Sequence, residues 1–492
     1  MNNLNFLVDV LKESPVFKTL EKNVKPGRTV CASGLSTINK SNIIYALCRL
    51  KGVTAFCLAS DEKEAQTLCN DLSCMGLRAY VYPVRDFNFL DFQSRSHEYE
   101  HARLKVLLKL LNHECDVAIA CVDAAAQLTV PRNVLEQSVI EFEEGRELSL
   151  EKATKALTLL GYERFDAVEG SGQFSLRGGI LDFFMPDSDY PVRCEFWGDE
   201  ITDLSYFDIE TQRRFKKADK ITLSPSTEIV IEDRAALADK IEHKAKLLRS
   251  KNSAKAKEKL FSEAELIRSG AMIANADKFI NQIYDKPESL FDYLDRNTLV
   301  FASEFTAIQE RGKSMDFISN ETLMQGFEDG TLCRGFDRFA LTFNECTEFL
   351  QSHGTIVLEN FVHGSMPIKL SEIISFSTKQ LSAWGGSYKQ LKEDVDGLFT
   401  PESKGVIFAG TERAAKNLCD TFNADGINAV YSEGADKISK GELLVMQGAL
   451  SAGFEYPSQK FFAITYSQVS YRPEKSKKKK KKTGQEIYSL SE

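Results

Sequence analysis

The first residues whose types and spacing could do chemistry are Gly34-Leu-Ser-Thr-Ile-Asn39-Lys40-Ser41. They lie between a short apolar run and the apolar helical pattern NIIYAL. This is the strand–loop–helix frame of a phosphate-binding loop, G-x-x-x-x-G-K-[ST]. Lys40 and Ser41 stand where a lysine reaches the phosphates and a hydroxyl meets Mg²⁺. Asn39 stands where the second glycine belongs, and a side chain there tends to close the cradle of backbone amides, although asparagine tolerates left-handed backbone better than most residues. A working site also needs an acidic partner for the metal at the end of a neighbouring strand. Asp61-Glu62 is set off from its strand by Ala59-Ser60, and Asp123 has no companion glutamate. Three readings stand side by side: an ATP site, the relic of one, and a coincidence of spacing. The missing acidic pair favours the relic.

Other catalytic inventories fail. Six histidines are dispersed without an HExxH pair, and no serine or cysteine sits in a nucleophile elbow. Eleven cysteines are scattered with no CxxC pair, which reads as reduced, mostly buried thiols rather than zinc ligands or disulfides. No catalytic residue and no metal site are assigned.

Recognition has a stronger signal, in Gly172 to Arg214. Gln173, Ser175 and Arg177 alternate with Phe174 and Leu176, the period-two pattern of a half-buried strand. After Gly178-Gly179 the run resumes as Ile180-Leu-Asp-Phe-Phe184, and after a turn Val192 to Trp197 alternates again. If Val192, Cys194 and Phe196 face a core, then Arg193, Glu195 and Trp197 face water, and the same phase turns Arg177 outward. Two arginines and a tryptophan on one solvent-facing sheet have the composition of a protein-binding hot spot. The bland alternative is a surface strand whose tryptophan is covered by a nearby loop. A one-residue slip would exchange every face and put Phe196 in place of Trp197. Glu195 either orients Arg193 or solvates the face.

The elements that must position these residues follow from periodicity. Over residues 1–130 candidate buried strands (Thr29–Ala32, Val53–Leu58, Ala79–Tyr82, Val117–Cys121) alternate with helical patterns (Asn42–Leu50, Lys63–Leu72, His101–Leu111), which predicts a parallel sheet with covering helices. Residues 131–222 change to short strands and turns around one helix near Leu150–Leu160, an inserted β-rich module. Residues 223–385 read as the second part of the α/β domain, opening with a long helix over 233–269. Residues 386–472 form a small α/β domain, and 473–492 a Lys-rich linker toward a further domain, with the chain read as a truncation. The fold class is multidomain α/β.

Composition bounds the rest. With 492 residues, 43% hydrophobic and 27% charged, the chain reads as several soluble domains. No stretch has the apolar length of a membrane span and no signal peptide opens it, so the expectation is a cytoplasmic protein without a membrane partner. Net charge is −9; Lys475 and Lys477 to Lys482 hold seven positive charges, so −9 less those seven leaves the body near −16. An acidic body is a poor non-specific nucleic-acid binder. The lysine run reads as a solvated linker, with weak nucleic-acid contact as its alternative.

The blocks GQFSLRGGILDFF, P-x-R-x-E-F-W-G-D-E-I and F-D-x-x-T-Q-R, in this order and spacing, resemble the UvrB-homology region of the bacterial transcription-repair coupling factors (Mfd). Tyr82-Pro83 with Asp86 to Asp91 and Ser94, and the segment Val445–Val469, resemble further blocks of that family. The resemblance implies a first domain descended from a helicase lobe that has lost its nucleotide site, in accord with Asn39. It implies an inserted module that docks UvrA, with contacts carried over to Arg177, Arg193 and Trp197. The family more often shows Phe at the last position. It also implies a non-catalytic region with no cofactor of its own, which helps to autoinhibit a downstream motor. RNA polymerase and double-stranded DNA, with ATP and Mg²⁺, would be engaged by a polymerase-binding domain and a motor downstream of these residues. The enzyme alternative is a UvrB-like ATP site using Gly34, Asn39, Lys40 and Ser41.

Overall fold

The computed structural model describes residues 4–85, 97–249, 253–270, 276–361, 366–381 and 388–466. The lysine run, the Asp86–Ser94 block and the last residues of the Val445–Val469 segment lie outside them.

Two short helices, α1 (Asn5–Lys12) and α2 (Pro15–Asn23), lead into an alternating series: β1 (Val30–Ser33), α3 (Thr37–Lys51), β2 (Ala55–Ala59), α4 (Glu62–Cys74), β3 (Ala79–Tyr82), α5 (Glu98–Leu111), β4 (Val117–Cys121) and α6 (Val122–Ala126). The chain then passes through α7 (Arg132–Gln137), β5 (Ile140–Glu143), α8 (Leu150–Leu159), β6 (Glu163–Arg164), β7 (Gln173–Arg177), β8 (Ile180–Phe183), β9 (Val192–Trp197), β10 (Glu200–Phe207), β11 (Arg214–Lys217) and β12 (Lys220–Leu223). It returns through α9 (Arg234–Leu247), α10 (Ser253–Ser269) and α11 (Ile280–Ile283) to β13 (Leu299–Ser303), α12 (Phe305–Asp329), α13 (Phe343–His353), β14 (Thr355–Leu358) and β15 (Glu372–Ser375). A last series holds β16 (Lys379–Leu381), α14 (Tyr388–Leu398), β17 (Lys404–Phe408), α15 (Glu412–Ala424), β18 (Ala429–Ser432), β19 (Glu442–Met446), β20 (Gly453–Tyr456) and β21 (Phe461–Thr465).

The fold is multidomain α/β, as the sequence predicts. Seven parallel strands run in the order β15-β1-β14-β13-β2-β4-β3. Strands β13 and β14, which follow the β-rich stretch in sequence, pair between β1 and β2. One sheet is therefore completed from both sides of the insertion. The central strands β1, β2 and β4 are buried throughout, the reason they read as unbroken apolar runs rather than alternating ones.

The insertion has its own core. Strands β6 to β11 form a six-stranded sheet in sequential order, and β5 pairs with β12 beside it. Phe142, Leu157, Phe174, Leu181, Phe183, Val192, Cys194 and Leu204 pack together there. Leu135 on α7 belongs instead to the core of the parallel sheet.

The long helix expected over 233–269 is two helices. α9 ends at Leu248, whose backbone is extended, and α10 packs along it. Leu237, Ile241 and Ala245 meet Ala256, Leu260 and Ala264. An unbroken helix would have left that stripe without a partner; folding it back gives each half the other's apolar face.

The last sheet, β16-β20-β21-β17-β19-β18, is covered on both sides. Val406, Phe408, Leu444 and Met446 pack with α1 and α3, whereas Ile407, Leu443 and Val445 pack with α14 and α15. The alternation of strand side chains produces this division. Among the described residues no helix is long and apolar enough to cross a membrane.

Candidate functional site

Strand phase in the module is the one read from the alternation. Val192 and Cys194 are fully buried, and Phe196 sits with them in the module core. Phe196 is therefore corrected from a rival anchor to a core residue. Trp197 is 82% exposed and the next residue, Gly198, turns the chain with φ +64° into β10. Trp197 closes the β9–β10 hairpin opposite Glu200, and among the described residues no loop covers it.

The two arginines are not independent of each other. Asp182, 1% exposed, lies directly across from Arg193 in the β8–β9 pair and from Ser175 in the β7–β8 pair. Its Oδ1 accepts from Arg193 Nε at 2.7 Å, and its Oδ2 accepts from Arg193 Nη2 at 2.8 Å and from Arg177 Nη2 at 2.9 Å. Arg193 also donates to the Gln212 carbonyl at 3.1 Å and lies 4.4 Å from the centre of the Phe207 ring. Its side chain is only 13% exposed, so most of its hydrogen-bonding capacity is spent inside the module. Arg177, half exposed, keeps much of its guanidinium free.

Glu195 does not orient Arg193. It pairs with Arg214 on β11, which also reaches Asp203 at 2.9 Å. The orienting acid is Asp182, which sequence reading missed. Its signal was present: a lone carboxylate within the apolar run ILDFF, in phase with Ser175 and Arg177, needs a cation if it is to be buried.

The module is tied to the parallel sheet by a buried polar cluster. Arg103 on α5, fully buried, donates to Glu228 Oε1 at 2.6 Å and to Gln127 Oε1 at 2.8 Å. Glu100, one helical turn earlier, accepts from Thr227 Oγ1 at 2.9 Å and Glu228 N at 2.8 Å. Burial alone would raise the Glu100 carboxyl, yet His97 and Arg85 beside it hold it down at about 2.

At the sheet's C-terminal end the phosphate-loop residues take a different form from the one expected. Helix α3 begins at Thr37, so only Gly34, Leu35 and Ser36 separate it from β1. Asn39, Lys40 and Ser41 are inside the helix and buried. A loop of three residues has too few free amides to wrap a phosphate, and Gly34 closes it further: a Cβ there would lie 2.2 Å from the Phe376 carbonyl oxygen.

The ammonium of Lys40 and the hydroxyl of Ser41 are engaged within the chain, and Asn39 Oδ1 accepts from Ser36 Oγ at 2.6 Å. Lys40 Nζ, on a side chain 2% exposed, meets Glu304 Oε1 at 2.5 Å, Ser303 Oγ at 2.9 Å and Glu64 Oε1 at 3.4 Å. Glu304 holds left-handed backbone, φ +56°, at the start of α12. Ser41 Oγ donates to Asp71 Oδ2 at 3.2 Å, and Asp71 accepts from both the amide and the hydroxyl of Ser451 at 2.7 Å. Asn42 Nδ2 donates to Tyr456 Oη at 3.1 Å. The helix that opens the motif thus serves as the seat of the last sheet. Burial lifts Asp71 to about 6. It also lifts Glu359, next to Glu304, to about 7, with the Glu304 charge adding to the effect and the Phe305 amide opposing it.

Comparison with known proteins fits this geometry. Residues 140–229 match the family described as the UvrB interaction domain. Over 98% of its length the chain is 26% identical to the transcription-repair-coupling factor of Bacillus subtilis (strain 168). The chain is similar to transcription-repair-coupling factors along nearly its whole length. The Staphylococcus aureus (strain MRSA252) factor is 22% identical over 97% of the chain, and a Staphylococcus epidermidis factor 25% identical over 82%. The chain spans 42% of the Bacillus protein, 41% of the Staphylococcus aureus one and 35% of the Staphylococcus epidermidis one. The family resemblance carried by the three motif blocks is thereby shown.

Proposed function

We propose that this chain is a non-catalytic recruiting region in transcription-coupled nucleotide excision repair, and that its inserted module docks UvrA. The observation that carries the reading is the module face: an uncovered Trp197 on the same sheet face as Arg177, whose guanidinium is steered by buried Asp182. An aromatic anchor flanked by a pre-oriented arginine is the composition of an interface hot spot, and pre-orientation lowers the entropy lost on binding. The match of residues 140–229 to the UvrB interaction domain supports a partner of the UvrA type.

On this reading Gly34–Ser41 binds no nucleotide, because Lys40 is already neutralised by Glu64 and Glu304. RNA polymerase, double-stranded DNA, ATP and Mg²⁺ are engaged by other parts of the protein. Autoinhibition enters as masking: since no described residue covers Trp197, the mask is supplied from outside the described residues.

Capture of UvrA by this chain, compared with an Arg177→Ala, Trp197→Ala double variant, tests the reading. At least a thirtyfold weaker interaction, about 2 kcal/mol, is expected from loss of the two anchors. Equal capture by a folded double variant overturns the assignment.

A further inference from the structure

The module carries a second exposed aromatic site, away from the Trp197 tip, for which the docking face has no use. Strand β11 is the free edge of the six-stranded sheet, and its residues Arg214-Phe-Lys-Lys217 are all exposed. The β10–β11 register skips one residue: Tyr206 pairs with Lys216 and Phe207 with Arg214. Phe215 is therefore the bulged residue, re-aimed out of the ladder as bulges do. It packs edge-to-face on Tyr190, ring centres 4.7 Å apart, and both rings are about half exposed.

Cations stand on either side of Phe215 along the chain. Arg214 is occupied by Glu195 and Asp203, and Lys217 by Glu144. Among the described residues Arg213 and Lys216 meet no carboxylate, and Lys216 Nζ lies 5.8 Å from the centre of the Tyr206 ring. Lysines on an edge strand commonly guard it against adding a further strand. That accounts for the charge but not for two aromatic rings left in water beside it. The bulge also interrupts the edge that an added strand would need.

We propose that the Tyr190–Phe215 pair with Arg213 and Lys216 is a contact site for single-stranded nucleic acid. Unpaired bases stack on the exposed ring faces and successive phosphates meet the two cations without carboxylate partners, the combination that binds single strands without sequence preference. Neither cation is neutralised by a carboxylate, so both remain available to phosphates in a chain of net negative charge.

The test is fluorescence anisotropy of a labelled oligothymidylate of about 15 nucleotides. It is done on the chain with Lys475 and lysines 477–482 changed to serine, so that these seven charges contribute nothing. Saturable binding is expected, about tenfold weaker in Phe215→Ala and in Tyr190→Ala. An Arg213→Glu, Lys216→Glu variant should flatten the salt dependence by about 1.4 in log–log slope, for two lost phosphate contacts. Capture of UvrA by the Phe215→Ala chain should be unchanged, which separates this site from the docking face. Absence of saturable binding, or equal affinity in the folded Phe215→Ala chain, overturns the proposal. So does loss of UvrA capture in Phe215→Ala with oligonucleotide affinity intact, which would make the edge part of a protein interface.

Discussion

Two regions of the molecule use the same pairing of carboxylates and cations with the burial reversed. At the end of the parallel sheet the cation is buried: Lys40 is enclosed by Glu64, Glu304 and Ser303. In the module the anion is buried: Asp182 is enclosed by Arg177, Arg193 and Ser175. An enclosed cation has nothing left for a ligand's phosphate. An enclosed anion holds its arginines in place and leaves the half-exposed guanidinium of Arg177 for a partner. The difference separates a motif whose groups are turned inward from a surface prepared for recognition.

That contrast can be broken from either side. Asp182→Ala should have the largest effect, about 4 kcal/mol off the unfolding free energy, because it leaves Arg193 buried without its counter-ion. Thermal unfolding would show a lower transition; an unchanged transition would mean that Asp182 does not organise the face. Lys40→Ala should cost about 3 kcal/mol by leaving Glu64 and Glu304 facing each other without a cation. Calorimetry with Mg-ATP should find no heat of binding in either the parent chain or this variant. Nucleotide binding in the parent that vanishes in the variant would restore the ATP reading.

The smallest effect concerns pH. Glu359 is fully buried, and its Oε2 meets no hydrogen-bond partner among the described residues. Its folded pKa of about 7 lies above the ordinary 4.5. The unfolded chain therefore releases this proton first, and stability falls as pH rises between those two values and is level above them. Glu359→Gln should remove most of that slope and raise stability at pH 8 by about 1 kcal/mol. Denaturant titrations at pH 5 and 8 measure both; an unaltered slope in the variant would place the proton elsewhere.

Much of this was legible in the sequence, for identifiable reasons. Strand β4 begins and ends where its apolar run does, because a strand buried on both faces is written as an unbroken run. The outward set of β9 followed from its period of two, and Phe196 against Trp197 was settled by packing alone. What could not be read were relations between distant residues. Lys40 meets Glu304 across 264 positions, and no local pattern announces such a pair. Helix α3 begins earlier than its apolar pattern, because Asn39 and Ser41 are polar yet buried against Ser36 and Asp71. The break between α9 and α10 also had no local signature, since what stabilises it is the packing of one helix on the other.

The central claim is that Trp197 is presented for a partner and contributes little to the fold. A titration of UvrA against the Trp197→Ala chain, with its melting temperature measured alongside, tests it most directly. The account predicts an affinity about thirtyfold weaker at an unchanged melting temperature. Undiminished UvrA affinity in that folded variant would contradict it.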